Sequence, residues 1–264
     1  MSRSSRRAAT AIGLLAGVVI AVAGCGGPSL PTLTDPIEIV TAGLKSIEGA
    51  RTVHIEATLD GSINDELGGE GGPAPSLPVD GTTASADVDM AGGKARVVFS
   101  VPAFLNLDGE LIQVGTTSFV KTSLSGPLYE TQPVTDSLPL DPTDAAGLFE
   151  DVGDLFTAEG SNAVKGDDVD CSGKRCYAVT IELSADQVAG LGAGAVASQL
   201  PIDLAGASLA VTIRVEKDTY RLAGLRTVAS LGDQGALTLD LSMSKWDEPT
   251  VISAPPADQV KPPS

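Results

Sequence analysis

Between Ala207 and Trp246 apolar and polar side chains alternate with a period of two, and this constrains the chain more than any other stretch. Leu209, Val211, Ile213 and Val215 alternate with Ser208, Thr212, Arg214 and Glu216; Leu237, Leu239, Leu241 and Met243 alternate with Thr238, Asp240, Ser242 and Ser244. Successive side chains of a strand point to opposite faces, so each run carries one apolar and one polar face. Lys217-Asp218 separates the first run from a second, and Gly232-Asp233-Gln234-Gly235 separates the second from a third, both being turn chemistry. The pattern predicts an antiparallel meander whose apolar side must be covered by helices, a second sheet or a ligand.

The remaining chain supplies more strands and a few helices. Asp35 as N-cap, Pro36 at the first helical position, Glu38 in a capping box and Gly49 as the stop predict a helix with Ile37, Val40, Leu44 and Ile47 on one face. Thr52 to Asp60 alternates Val53, Ile55, Ala57 and Leu59 against His54, Glu56, Thr58 and Asp60, which places the single histidine on the polar side. The Gly-, Pro- and acid-rich stretch from Gly61 to Asp80 is expected to be a mobile loop. Strands are predicted near Thr82–Met90, Lys94–Val101, Glu110–Val114 and Ser118–Leu124, with Val97 and Phe99 on the apolar side of the second. A polar connection leads to a helical region opening at Pro142, apolar at Ala145, Leu148, Phe149, Val152, Leu155 and Phe156. A hairpin follows, Ser161 to Asp170 and then Tyr177 to Leu183, where Val179 and Ile181 alternate with polar neighbours. Ser184-Ala185-Asp186-Gln187 is a second capping box, opening a helix that carries Val188, Leu191 and Val196.

Met1 to Gly24 has a basic start, an apolar run too short to span a bilayer and a small-residue end, the form of an export signal. Val22-Ala23-Gly24-Cys25 resembles the lipobox of bacterial lipoproteins, in which the cysteine is acylated. Residues 25–34 then read as the acylated Cys25 and a linker, 35–254 as a single domain, and 255–264, with Pro255-Pro256 and Pro262-Pro263, as a disordered tail. Loss of Arg3, Arg6 and Arg7 with the signal would take the net charge from −17 to −20. Such a surface repels nucleic acid. With Cys25 acylated, Cys171 and Cys176 are the thiols that remain, and a disulfide across the hairpin is the economical reading for an exported protein.

One histidine leaves no His-based triad or zinc motif, and no GxSxG, HExxH, P-loop or GxGxxG occurs. Asp167, Asp168 and Asp170, like Asp87 and Asp89, lack the glycine and glutamate spacing of a calcium loop and read as solvated turn carboxylates. No catalytic residue, metal ligand or cofactor is therefore assigned.

SIEGARTVHIEATLDG at Ser46 to Gly61, VKGDDVDCSGKRCYAVTIELSADQV at Val164 to Val188 and SKWDEPTVISAPP at Ser244 to Pro256 resemble the mycobacterial LppX/LprA/LprF/LprG lipoprotein family. The resemblance implies an α+β fold: a strongly curved antiparallel half-barrel with helices on its concave face, similar to the LolA and LolB carriers. It also implies a cavity for the acyl chains of a lipid or glycolipid, in a protein tethered by Cys25 to the extracytoplasmic face of the cell membrane. The residues expected to line that cavity are Ile37, Val40, Leu44, Val53, Ile55, Val97, Phe99, Leu148, Phe149, Val152, Val179, Ile181, Leu191, Val211, Ile213, Leu239 and Leu241. Strand periodicity is the same for a cavity lining and for a dry core, so both readings stand for each of them. The expected function is lipid carriage across the envelope without covalent chemistry. The alternative is a structural or adaptor lipoprotein with a filled core and a protein partner such as a transporter.

Overall fold

The computed structural model describes residues 30–64, 76–133, 152–157, 161–191 and 206–262. The export signal, Cys25, Leu148 and Phe149 lie outside them. Among the described residues no helix is long and apolar enough to cross a membrane.

One antiparallel sheet organises the domain. Its strands are β1 (Thr52–Asn64), β2 (Ser76–Pro78), β3 (Thr82–Asp89), β4 (Lys94–Val101), β5 (Leu107–Val114), β6 (Thr117–Thr122) and β7 (Glu130–Pro133), followed by β8 (Val164–Lys165), β9 (Val169–Cys171), β10 (Lys174–Leu183), β11 (Ser208–Glu216), β12 (Leu222–Ser230) and β13 (Gly235–Ser244). The order across the sheet is β7-β6-β5-β4-β3-β1-β13-β12-β11-β10-β8, with β2 beside β1 and β9 beside β10. β7 and β8 end the order without pairing to each other, so the sheet is an open half-barrel. The meander predicted from Ala207 onward is β11-β12-β13, and its last strand pairs with β1 from His54↔Ser244 to Ile63↔Gly235. Where these two strands cross closely, Gly61 and Gly235 sit at positive φ, and a Cβ on either would meet the opposite backbone at 2.1 Å. The expected loop therefore begins later than the composition suggests: β1 continues to Asn64, and Ser76–Pro78 returns to pair with it.

Helix α1 (Pro36–Glu48) opens as the sequence dictates, with the Asp35 side chain accepting from the Glu38 backbone N–H at 2.9 Å and Gly49 as the C-cap. It lies on β10, β11 and β12. Its buried face is Ile39, Val40, Gly43 and Ile47. Ile37, expected on that face, is only half-buried, and Ile39 takes the place. The reason is Gly43: a Cβ there would stand 2.6 Å from Val215 Cγ2, so the helix is rotated to bring its bare backbone onto β11. Helical residues 152–157 (α2) bring Phe156 into the same core, and α3 (Ala185–Leu191) adds Val188. One half of the capping box of α3 forms, with Gln187 Oε1 accepting from the Ser184 N–H at 2.9 Å and also from the Ser184 hydroxyl at 3.0 Å.

The end of the chain departs from its expected disorder. Ala257–Gln259 forms a 3-10 turn, Val260 bridges Tyr129 in parallel, and Lys261 pairs with Glu130. Ile252 and Val260 pack with Ile112, Val114, Phe119 and Tyr129 into a second core on the convex face. A proline-rich segment needs no hydrogen bonds of its own when apolar side chains anchor it.

At the opposite edge, the Asp168 carboxylate gathers Lys217 at 2.5 Å, Arg175 at 3.1 Å and Lys165 at 3.7 Å, joining β8, β10 and the β11 turn. The Lys217 hydrogen bond, against a smaller opposing effect of burial, holds this carboxyl below its ordinary range. A depressed folded pKa stabilises the fold above the unfolded value of about 3.9 and ceases to do so as pH falls through the folded value. Asp168→Asn is therefore expected to lower the urea midpoint at pH 7, with the difference from wild type shrinking as pH falls through the depressed folded pKa of Asp168. Gly43→Val should lower stability by about 1–3 kcal/mol at any pH, because the added branches overpack the contact with Val215; urea melts of both variants check this.

Candidate functional site

The concave face is built by register. Val53, Val88, Ala95, Gln113 and Ser118 form one row across β1, β3, β4, β5 and β6, all buried. Two residues along each strand lies the row Ile55, Ala86, Val97, Leu111 and Val120, of which Val97 alone is buried. The next row, Ala57, Ala84, Phe99, Gly109 and Thr122, is half-exposed throughout, as is the last, Leu59, Thr82, Val101 and Leu107. Burial thus falls steadily towards the end of the sheet where β4 turns into β5.

Following the same rows through β13 towards β10 gives the opposite gradient. Ala57 pairs with Leu241, Leu241 with Leu225, Leu225 with Ile213 and Ile213 with Val179; exposure drops to 1% at Ile213 and zero at Val179. Val40 and Val215 are also fully buried, so this half of the sheet is sealed by α1. The expected lining residues therefore divide. Val40, Val179, Ile181, Val211 and Ile213 are packed core, with Val53 and Val97 at its edge. Ile55, Phe99, Leu239 and Leu241 come together on the half-exposed strip; Ile37, Leu44 and Val152 are half-buried on the helices. The side chain of Leu191 lies outside the described residues, as do Leu148 and Phe149.

Phe99 owes its position to a glycine. It faces Gly109 across β4 and β5, and a Cβ at Gly109 would lie 2.2 Å from the ring's Cζ. The ring consequently lies flat on the neighbouring strand and forms a floor. Ala57, Ala84 and Ala86 surround that floor with small side chains, so the strip presents a largely apolar surface. Polar side chains on this face include Gln113, Ser118, Thr122 and Thr82; of these, Gln113 Oε1 and Thr82 Oγ1 are buried with no hydrogen-bond partner among the described residues. Leu111, Val120 and Gln113 belong to this face and escaped sequence reading, whereas Leu237, on the predicted apolar run of β13, joins it as its periodicity implies. In β5 the Gly-Leu-Gln series looks less apolar than Ile112 and Val114, which point the other way into the tail-covered core. The register with β4 would have found them.

The convex face is polar and ionic. His54 Nδ1 lies 2.7 Å from Asp87 Oδ1, on the polar side as predicted. Glu110 accepts from Arg96 Nε at 2.8 Å and from Tyr129 Oη at 2.6 Å. Burial alone would raise this carboxyl, but these two hydrogen bonds, together with the positive charges of Arg96 and Lys121, outweigh it and leave the group below its ordinary range. The hairpin cysteines form the expected Cys171–Cys176 disulfide.

No family model matches the chain, and no curated protein does. Among solved structures, the crystal structure of LprF from Mycobacterium bovis superposes with a TM-score of 0.53 at 19% identity, over 83% of this chain and 96% of LprF. The fold is that of LprF. The lipoprotein LppX of Mycobacterium tuberculosis is also similar, at 17% identity and a TM-score of 0.48, over 83% of this chain and 98% of LppX. The expected curved α+β half-barrel is thus met in the likeness to LprF.

The two faces give a direct test of where apolar ligands sit. Phe99→Asp and Leu239→Asp should each weaken binding of an apolar fluorescent probe at least about tenfold, the equivalent of ~1.4 kcal/mol. Val98→Asp and Val228→Asp, which alter exposed convex positions, should leave the probe's titration unchanged.

Proposed function

We propose that this protein is a non-catalytic lipoprotein that takes the acyl chains of a lipid or glycolipid onto its concave face, and that it carries this cargo across the cell envelope. The supporting observation is the half-exposed apolar strip around Ile55, Phe99, Leu239 and Leu241, which adjoins a sealed core and lies on the same sheet face. Each methylene buried there contributes about 0.8 kcal/mol, so a long chain is held without a charged partner. Smooth aliphatic walls favour chains over rings, and the guest's polar end is left at the open rim. Cys25 is the proposed site of acylation. Two or more chains at about 0.8 kcal/mol per methylene give stable tethering to the extracytoplasmic membrane surface.

The decisive experiment is mass spectrometry of an organic extract of the mature protein purified from its native envelope. A stoichiometric lipid is expected, together with an N-terminal peptide bearing acyl chains on Cys25. Leu239→Trp should reduce the lipid recovered per protein while the far-ultraviolet spectrum stays that of the wild type. A folded protein that yields no lipid and takes up none in vitro would overturn the carrier reading in favour of a filled-core adaptor for a protein partner.

A further inference from the structure

Three of the large exposed apolar side chains stand at one corner of the sheet. Phe104 and Leu105 are 55% and 76% exposed in the turn between β4 and β5, and Leu124 is 59% exposed in the turn that follows β6. The two turns are neighbours: Ser123 Oγ accepts from the Asp108 backbone N–H at 3.2 Å and donates to the Asn106 carbonyl at 3.4 Å. Each is also closed on itself. Phe104 N donates to Val101 O, Leu107 N to Phe104 O, and Ser125 N to Thr122 O, all within 3.1 Å. The tip is therefore a fixed projection.

Two further properties bear on its use. Pro102 to Asn106 and Ser123 to Leu128 contain no charged residue, in a chain of net charge −17. Leu105 and Asn106 both occupy positive φ, at 55° and 51°, a region that a branched side chain such as leucine rarely adopts. Leu105, preceded by the equally exposed Phe104 and followed by Asn106, is thus held outward in a sparsely populated backbone conformation of the kind that clusters at functional surfaces.

The tip's placement in the fold is also informative. By register, the β4–β5 turn lies at the level of Leu59 and Thr82, where the concave strip is most open. The N-terminal segment joins the domain at the other end of the strands, where Tyr220 Oη donates to the Pro31 carbonyl and Tyr177 Oη accepts from Leu33 N.

We infer that the Phe104–Leu105–Leu124 tip is a lipid-surface docking element that inserts into the interface of a zwitterionic bilayer. Three side chains on a protruding corner fall far short of the roughly 800 Å² per partner that a specific protein interface buries. A bilayer interface accepts such a wedge without complementary shape, and the turns carry no charge of their own; the ammonium beside them, Lys261, is already held by Glu130 and the Ser125 carbonyl. Insertion brings the open end of the concave strip against the membrane, at the pole away from the N-terminal tether. This inference does not depend on what the strip carries.

The full chain is reconstituted in phosphatidylcholine vesicles whose acyl chains are brominated, with Leu105→Trp as the reporter. The single native tryptophan, Trp246, donates to Leu222 O on the far side of the sheet, and the wild-type chain gives its background. Emission of the reporter should shift to the blue and be quenched by the bromines at both low and high salt. Adding Phe104→Asp and Leu124→Asp to the reporter chain should return it to the unquenched, water-exposed spectrum. Phe104→Ser with Leu124→Ser serves the same purpose should the aspartates perturb the fold. A reporter that remains unquenched beside bromolipid would overturn the inference and point to a protein contact. So would quenching that persists without Phe104 and Leu124, because the tryptophan would then be inserting by itself.

Discussion

A single helix cannot cover this sheet. Eleven strands lie side by side in the order from β7 to β8, and at about 4.8 Å per strand the sheet is roughly 50 Å across. The 13 residues of α1 make a rod of about 20 Å. Seated on β10, β11 and β12 through Gly43, α1 seals that flank into a close-packed core with Phe156 and Val188, and the apolar face continues past its reach. Everything on β1, β3, β4, β5 and β13 beyond the first row or two is left half-exposed. The gradient from Val179 to Phe99 is therefore a consequence of width, curvature and the one contact that fixes the helix.

What the uncovered part offers follows from its residue types. Ala57, Ala84 and Ala86 are small, and Phe99 is laid over Gly109, so the strip is broad and shallow. Hydrophobic attraction is non-directional and proportional to area, which suits a flexible alkyl chain better than a rigid ligand. The low aromatic content of 3% is part of the same design, since large rings standing upright would fill the hollow they line. Gln113 and Thr82 stand apart, because a buried polar atom that finds no partner among the described residues costs about 1–3 kcal/mol.

The convex side solves a different problem. β5 and β6 carry apolar residues on both faces, with Leu111 and Val120 inside and Ile112, Val114 and Phe119 outside. Exposed, the outer set would be an aggregation-prone surface near a sheet edge. The C-terminal segment covers it through Ile252 and Val260 and pins itself by Lys261 to Glu130 and to the Ser125 carbonyl. The last residues of the chain thus stabilise its middle, a dependence that the composition of a proline-rich tail gives no reason to expect.

Sequence by itself determined the elements. The period-two runs at Leu209–Val215 and Leu237–Met243, the Asp35 and Ser184 caps, the turns at Lys217-Asp218 and Gly232–Gly235, and the Cys171–Cys176 pair are all written in local side-chain chemistry, and the structure contains each of them. Tertiary structure decided which apolar residues are core and which are surface. Ile213 and Leu239 have the same periodicity, yet one lies under α1 and the other beyond its end. Ile39 displaced Ile37 because Gly43 had to meet Val215, and Ile112, on the face opposite Leu111, is buried because a segment 140 residues later covers it. Periodicity assigns a side chain to a face; only the packing of distant segments determines whether that face is covered, and the candidate site is the part left open.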